Sequence, residues 1–279
     1  MKFVIQTNIF AEEGFESLLT AVDRLGHEKV LVKCIPFDGG LEIVEGRLPL
    51  GDREPAIVLG SYTLCRVAKE RGWTPGAFLD GLDFLMQRNF WSDKMLNHDA
   101  GVVKLWQAYG WLYERYVNEP FFLRPYHDSK SFNGGVFDID QYNNFLRGLY
   151  KLRDVATHED PPHAQVTPDT LVCVARKKEI HTETRLWFVW DKQKHWPRVV
   201  TASGYKRGTM KYYTSPDQVD PEIIKFAEGL ALHWRPSDAF VMDVAQTPIG
   251  LKVVEVNCLN SSGWYKADLN KLVQALAVL

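Results

Sequence analysis

The chain lacks most of the motifs that would name a chemistry at once. Its four cysteines, Cys34, Cys65, Cys173 and Cys258, stand far apart and no CxxC pair occurs. A zinc ribbon or a dithiol motif is therefore excluded, and isolated cysteines fit buried free thiols in a reducing compartment. No apolar run reaches about 18 residues, so no membrane-spanning helix is expected. The opening MKFVIQTNIFAEEGF is too short in its apolar part, and too soon acidic, for a signal peptide. These absences lead to the expectation of a soluble, cytoplasmic protein. Neither sign of charge prevails, with 33 Lys+Arg against 35 Asp+Glu and a net charge of -2. That balance argues against a uniformly basic nucleic-acid coat and against a disordered acidic tail. GxxxxGK[ST] is absent, which removes a P-loop, and no GxGxxG follows a strand, which removes a dinucleotide fingerprint. His158 to His163, HEDPPH, is one residue too long for a zinc-protease pair, and its two prolines forbid the helix that would align the histidines. Ser203 to Lys206 fits SxxK without its partner motifs.

What the chain does have is material for a core. Of its 279 residues 46% are hydrophobic and 13% aromatic, so a chain of this length can bury about 75% of its unfolded surface without staples. Strand-like runs at Lys2–Gln6, Lys29–Cys34 and Ala56–Leu59 alternate with helical patterns at Phe15–Leu25 and Tyr62–Arg71. That order predicts a small α/β domain with a partly parallel sheet. Between Thr74 and Asn118 the period is unclear, and Val102, Leu105, Trp106, Tyr109, Leu112 and Tyr113 suit either one amphipathic helix or a packed connector. Further strands are predicted at Pro120–Arg124, Leu171–Ala175, Thr184–Trp190, Arg198–Ala202, Ala239–Ala245 and Leu251–Asn257. Helices are predicted after SFNGG (131–135), from Pro221 with Asp220 as N-cap, and over Asp268–Leu276.

The last quarter carries the chemistry. FVMDVAQTPIGLKVVEVNCLNSSGWYKADL reads as two strands joined by a TPIG turn, a β-hairpin. Residues two apart on a strand share a face, so Glu255 and Asn257 lie together, and an antiparallel partner can bring Asp243 beside them. Two carboxylates at close range are costly without a cation. A hard divalent ion with oxygen ligands removes that cost, and magnesium bridged to substrate phosphates is the usual solution. The alternative is a half-exposed hairpin whose carboxylates simply face water.

A hairpin of the form D-x-A, then E-V-N, then N-x-S-G resembles the magnesium hairpin of the ATP-grasp superfamily. Two more segments match it in chain order. PFFLRPYHDSKSFNGGVF is similar to the strand and loop that grip ATP. LVCVARKKEIHTETRLWFVW is similar to the adenine hinge strand followed by an I-x-x-E-x-R strand. The Arg-Pro followed by Lys-Ser-Phe-x-Gly resembles the R2K clade found in bacteriophages and bacteria. The resemblance runs from about Phe121 to the C-terminus. It implies an α+β ATP-grasp fold, two α/β subdomains gripping ATP, preceded by a small α/β pre-ATP-grasp domain. The implied division is residues 1–88, then 89–279 with a small lid subdomain at about 119–176 and a large one at about 177–279.

The resemblance also implies roles. Asp243, Glu255 and Asn257 would hold Mg2+; Arg124 and Lys130 would grip the phosphates of ATP. Val174, Ala175 and Arg176 would offer hinge backbone groups to adenine. Glu183 and Arg185 would point into the site, with Arg185 on the transferred phosphoryl group and Glu183 orienting it or binding a second ion. Lys206 would lie on the active-site face, and Asn260 and Ser262 where the acceptor is contacted. The implied activity is an ATP- and Mg2+-dependent carboxylate-amine, peptide-type ligase that forms a C–N bond through an acyl phosphate and releases ADP and phosphate. Its partners would be ATP, a carboxylate and an amine acceptor, with a peptide or protein on either side. If the source is viral, the host cytoplasm is the expected location. Two alternatives stay open. One is a phosphotransferase on the same fold. The other is a nucleic-acid-binding module using residues 171–211, where ten Lys+Arg face three Asp+Glu, a local excess of +7.

Overall fold

The computed structural model describes residues 1–9, 14–35, 40–50, 54–116, 119–126, 132, 134–155 and 166–279. It divides into two compact units, residues 1–81 with 180–279, and residues 82–179.

The first unit begins with an α/β sheet: β1 (Lys2–Gln6), α1 (Phe15–Arg24), β2 (Glu28–Cys34), β3 (Leu41–Glu45), β4 (Ala56–Leu59), α2 (Tyr62–Glu70) and β5 (Pro75–Gly76). The strand order is β3-β2-β1-β4-β5, parallel except for β3. Every residue of β1 and β4 is buried, which is what continuous apolar runs such as AIVL require.

The second unit holds α3 (Phe84–Trp91), β6 (Gly101–Lys104), α4 (Leu105–Tyr116), β7 (Phe121–Pro125), β8 (Gly135–Phe137), α5 (Ile139–Val155) and β9 (Leu171–Arg176). Its antiparallel sheet runs β6-β9-β7-β8. The sequence expectation of one helix through Val102 and Leu105 needs correcting, because Val102 is in β6 and the helix starts at Leu105. The buried stripe of α4 is Leu105, Ala108 and Leu112, whereas Trp106, Tyr109 and Tyr113 stand exposed. Aromatic bulk suggested the core; a small alanine holds the middle of the buried stripe instead.

The chain then returns to the first unit with β10 (Thr182–Asp191), β11 (Trp196–Arg207), β12 (Met210–Lys211), α6 (Pro221–His233), β13 (Ala239–Thr247), β14 (Gly250–Cys258) and α7 (Leu269–Leu276). These strands form an antiparallel sheet of order β12-β11-β10-β13-β14. Asp220 caps α6, its carboxylate accepting from Glu222 N at 2.9 Å with Pro221 in the first turn. Asp268 caps α7 through Lys271 N at 3.0 Å. Both sheets of the unit feed one core, in which Phe3, Ile5 and Ile57 meet Trp187, Val241, Trp264 and Leu272.

Candidate active site

The hairpin β13–β14 has one irregularity, and it decides what the hairpin can do. From the turn, Thr247 pairs with Gly250 and Val244 with Val253; then Asp243 pairs with Glu255. Val254 is the extra residue of a β-bulge. Without it Asp243 would face Val254, and Glu255 would point to the opposite side of the sheet, because a one-residue slip inverts the faces. With it, Asp243 and Glu255 are cross-strand partners. The pairing continues outward, since Asp243 also pairs with Arg185 on β10, and Arg185 with Ser203 on β11. One lane across four strands thus reads Ser203, Arg185, Asp243, Glu255. Asn257 sits next to it on β14 and donates its Nδ2 to Glu255 Oε1 at 2.9 Å.

Arg185 grips Asp243 with two bonds, Nε to Oδ1 and Nη2 to Oδ2, both 2.8 Å. Arg185 is 9% exposed and Asp243 1%. Burial pushes the Asp243 carboxyl up from its ordinary value, Arg185 opposes this, and the Glu255 and Glu183 carboxylates add to the rise. Burial works against the Arg185 charge as well, but attraction and hydrogen bonding to Asp243 hold its pKa above the ordinary value. Its Nη1 donors have no hydrogen-bond partner among the described residues, and a fork with spare donors is suited to an anion.

Glu183 bonds Tyr205 and pairs with Lys206 rather than with Arg185 itself. A second bulge sets both Tyr205 and Lys206 against it. Tyr205 donates its hydroxyl to Glu183 Oε2 at 2.6 Å, and Lys206 Nζ lies 2.8 Å from Oε1. That ion pair falls outside hydrogen-bond geometry, so Oε1 makes no hydrogen bond among the described residues. Burial, with the Asp243 and Glu183 charges, raises the Tyr205 pKa and keeps its hydroxyl protonated.

The donor set fits Mg2+. Asp243, Glu255 and Asn257 offer only oxygen to a cation, and a carboxylate has about four lone-pair sites, so Asp243 can serve Arg185 and a metal together. No three His, Cys, Asp or Glu side chains gather as a metal cage among the described residues. Two carboxylates and an amide are the sparse set that Mg2+ accepts when phosphate oxygens and water complete its shell.

The other expected residues are placed as follows. In the second unit, Arg124 lies on β7 opposite Cys173, its Nε 3.3 Å from Pro125 O. Val174 is flanked by β6 and β7, whereas Ala175 and Arg176 extend past β6 and pair with β7 alone. Arg176 forms an exposed ion pair with Glu119 at 3.1 Å. Lys130, the 127–131 part of its loop and the 158–163 HEDPPH run lie outside the described residues.

Asn260 is engaged structurally. Its Oδ1 accepts from Phe78 N at 2.8 Å and its Nδ2 donates to Val58 O at 2.7 Å, fully buried. Ser262 is buried and donates to Leu259 O at 3.0 Å. Replacing Asn260 with alanine would strand a buried N–H and a buried C=O, at roughly 3 kcal/mol together. The expected result is a lower midpoint in urea denaturation.

Sequence reasoning did not single out Tyr265, which stacks on Tyr205 with ring centroids 5.1 Å apart. Its only local signal is aromatic character beside the NSSGW segment.

A fold of this kind, with an acidic hairpin beside a buried arginine on an antiparallel sheet, is that of an ATP-grasp protein. The model for the ATP-grasp domain, R2K clade family 3, matches residues 50–276, and the chain belongs to that family. Solved structures share the fold at low identity. A RimK domain protein ATP-grasp from Sphaerobacter thermophilus is 15% identical, with 94% of this chain and 92% of that chain covered and a TM-score of 0.57. D-alanyl-alanine synthetase A from Vibrio cholerae is 10% identical, with coverage of 100% and 98% and a TM-score of 0.58. The ATP-grasp ligase PsnB, complexed with minimal precursor, is 10% identical, with coverage of 99% and 98% and a TM-score of 0.54. No curated protein matches the chain. No helix among the described residues is long and apolar enough to cross a membrane.

Proposed function

We propose that the protein is an ATP- and Mg2+-dependent ligase joining a carboxylate to an amine. The observation that carries this reading is the lane Arg185–Asp243–Glu255, which sets a buried cation with spare donors beside an all-oxygen set on one face. Bound there by Asp243, Glu255 and Asn257, Mg2+ would offset charge on the phosphates of ATP. Arg185 holds the transferred phosphoryl group through Nη1, already aimed before it arrives. Arg124 and Lys130 grip the remaining phosphates, and the β9 backbone at Val174, Ala175 and Arg176 meets adenine. Lys206 pairs with Glu183 at the edge of the face. The substrate carboxylate oxygen attacks the γ-phosphorus as the bond to ADP breaks; the amine then displaces phosphate and loses a proton. Each turnover forms one C–N bond and releases ADP and phosphate. The candidate acceptors include a peptide or protein, on the resemblance to the R2K clade alone. The functional division proposed is 1–88 and 89–279, with subdomains at 119–176 and 177–279, working in the cytoplasm.

The nucleic-acid alternative loses support within the unit that carries β10 and β11. Arg185 and Lys206 are engaged by Asp243 and Glu183. Lys192, Lys194 and Arg198 instead line a cavity of about 730 Å3 at the far end of β10, roughly 20 Å from Arg185 along the strand at about 3.3 Å per residue. There Lys192 bonds Leu279 O, and Arg198 lies 3.7 Å from Asp191. The basic stretch is thus not one continuous track.

The deciding experiment follows ADP and phosphate while candidate carboxylates and amines, including peptides, are added singly and in pairs. Equimolar ADP, phosphate and C–N product, requiring both substrates, is the expected result. Phosphorylated substrate as the stable product would support the phosphotransferase instead.

A further inference from the structure

Arg185 rests on an aromatic base. Its Cζ lies 5.5 Å from the Tyr205 ring centroid and 5.0 Å from that of Tyr265. The two rings stack 5.1 Å apart at 13°, so the guanidinium carbon and the two centroids form a nearly equilateral triangle. Tyr213 stacks on Tyr265 at 5.4 Å and 22°, and Trp187 meets Tyr265 edge-on at 6.4 Å and 68°. Tyr205 is held through its hydroxyl bond to Glu183 and comes from the bulge that places it there. Tyr265 has a φ of 48°, in the left-handed region that a bulky side chain avoids. Such a conformation persists when the surroundings over-determine it, and it concentrates at functional clamps.

The arrangement solves a mechanical problem. Asp243 holds the guanidinium at two points along one edge, and a two-point contact still lets the fork swing about that edge. A ring stack against the fork limits the swing, and the electron-rich ring faces attract the delocalised charge. With both restraints, the Nη1 donors keep one direction. We infer that Tyr205 and Tyr265 are positioning residues that hold Arg185 in its working orientation. The holding itself follows from the contacts; its effect on turnover rests on the ligase reading of Arg185.

The test replaces Tyr265 with phenylalanine and then with ring-fluorinated phenylalanines carrying one, two and three fluorines. The shape is nearly constant while the negative face of the ring weakens stepwise. The expected result is a stepwise fall in kcat for ADP release, roughly 10-fold over the series. KM for ATP should move by less than about two-fold, and the thermal midpoint should stay level. The 15N order parameter of the Arg185 Nε–H should fall in parallel, a readout that needs no turnover. A flat kcat and a flat order parameter, with wild-type turnover intact, would overturn the clamp and leave the ligase standing. A falling order parameter with no ATP turnover by any protein, wild type included, would support the clamp and refute the ligase.

Discussion

Glu255→Ala is expected to abolish magnesium-dependent ADP release, lowering kcat/KM on the order of 10²-fold or more. Glu255 is half-buried at the outer end of the charged lane and accepts from Asn257. Removing it leaves the Asn257 amide within reach of water, so the fold should lose less than about 1 kcal/mol. Glu255→Gln sharpens the test, because it keeps an oxygen for Asn257 but no charge for the cation. Both variants should show full-length thermal unfolding transitions close to wild type. A coupled ADP assay across a magnesium titration should show that added metal restores little of the lost rate. Near wild-type turnover would mean that the hairpin carboxylates serve solubility and bind no metal.

Asp243→Ala should act on the fold itself. It removes one partner of a buried, doubly hydrogen-bonded ion pair and leaves Arg185 uncompensated, at about 3–5 kcal/mol. For a chain of this size that is a drop of roughly 10 °C in thermal midpoint. A double variant with leucine at both Asp243 and Arg185 should recover most of that stability, since an apolar pair carries no desolvation penalty. It should recover none of the ATP turnover. Urea midpoints for Asp243→Leu, Arg185→Leu and the double variant close the cycle. Single variants that unfold at the wild-type midpoint would contradict a buried pair.

The strands and their order were largely legible in the residues. Lys2–Gln6 and Ala56–Leu59 fall where the apolar runs lie, and the later runs all become strands; Pro120–Arg124 shifts by one residue at equal length and the others are longer by one to seven residues. The meeting of Asp243 and Glu255 was legible only as an expectation. Strict alternation from the TPIG turn sends the two carboxylates to opposite faces, and a bulge at Val254 reverses that. Bulges depend on the packing of both sheet faces, which the local sequence does not encode. The partner of Arg185 was hidden for a similar reason. Glu183 is two residues away on the same strand, yet Asp243, 58 positions on, is the residue directly across the ladder. Asn260 follows the hairpin in the position expected of an acceptor contact, but the neighbouring β4 backbone takes its amide.

The central claim is that this face binds ATP through magnesium. Calorimetric titration of ATP into the protein, with Mg2+ present and then with Mg2+ chelated, tests it most directly. The account predicts saturable binding with Mg2+, strongly weakened when the metal is chelated and weakened to a similar extent in Glu255→Ala. No binding of ATP at any Mg2+ concentration would contradict it.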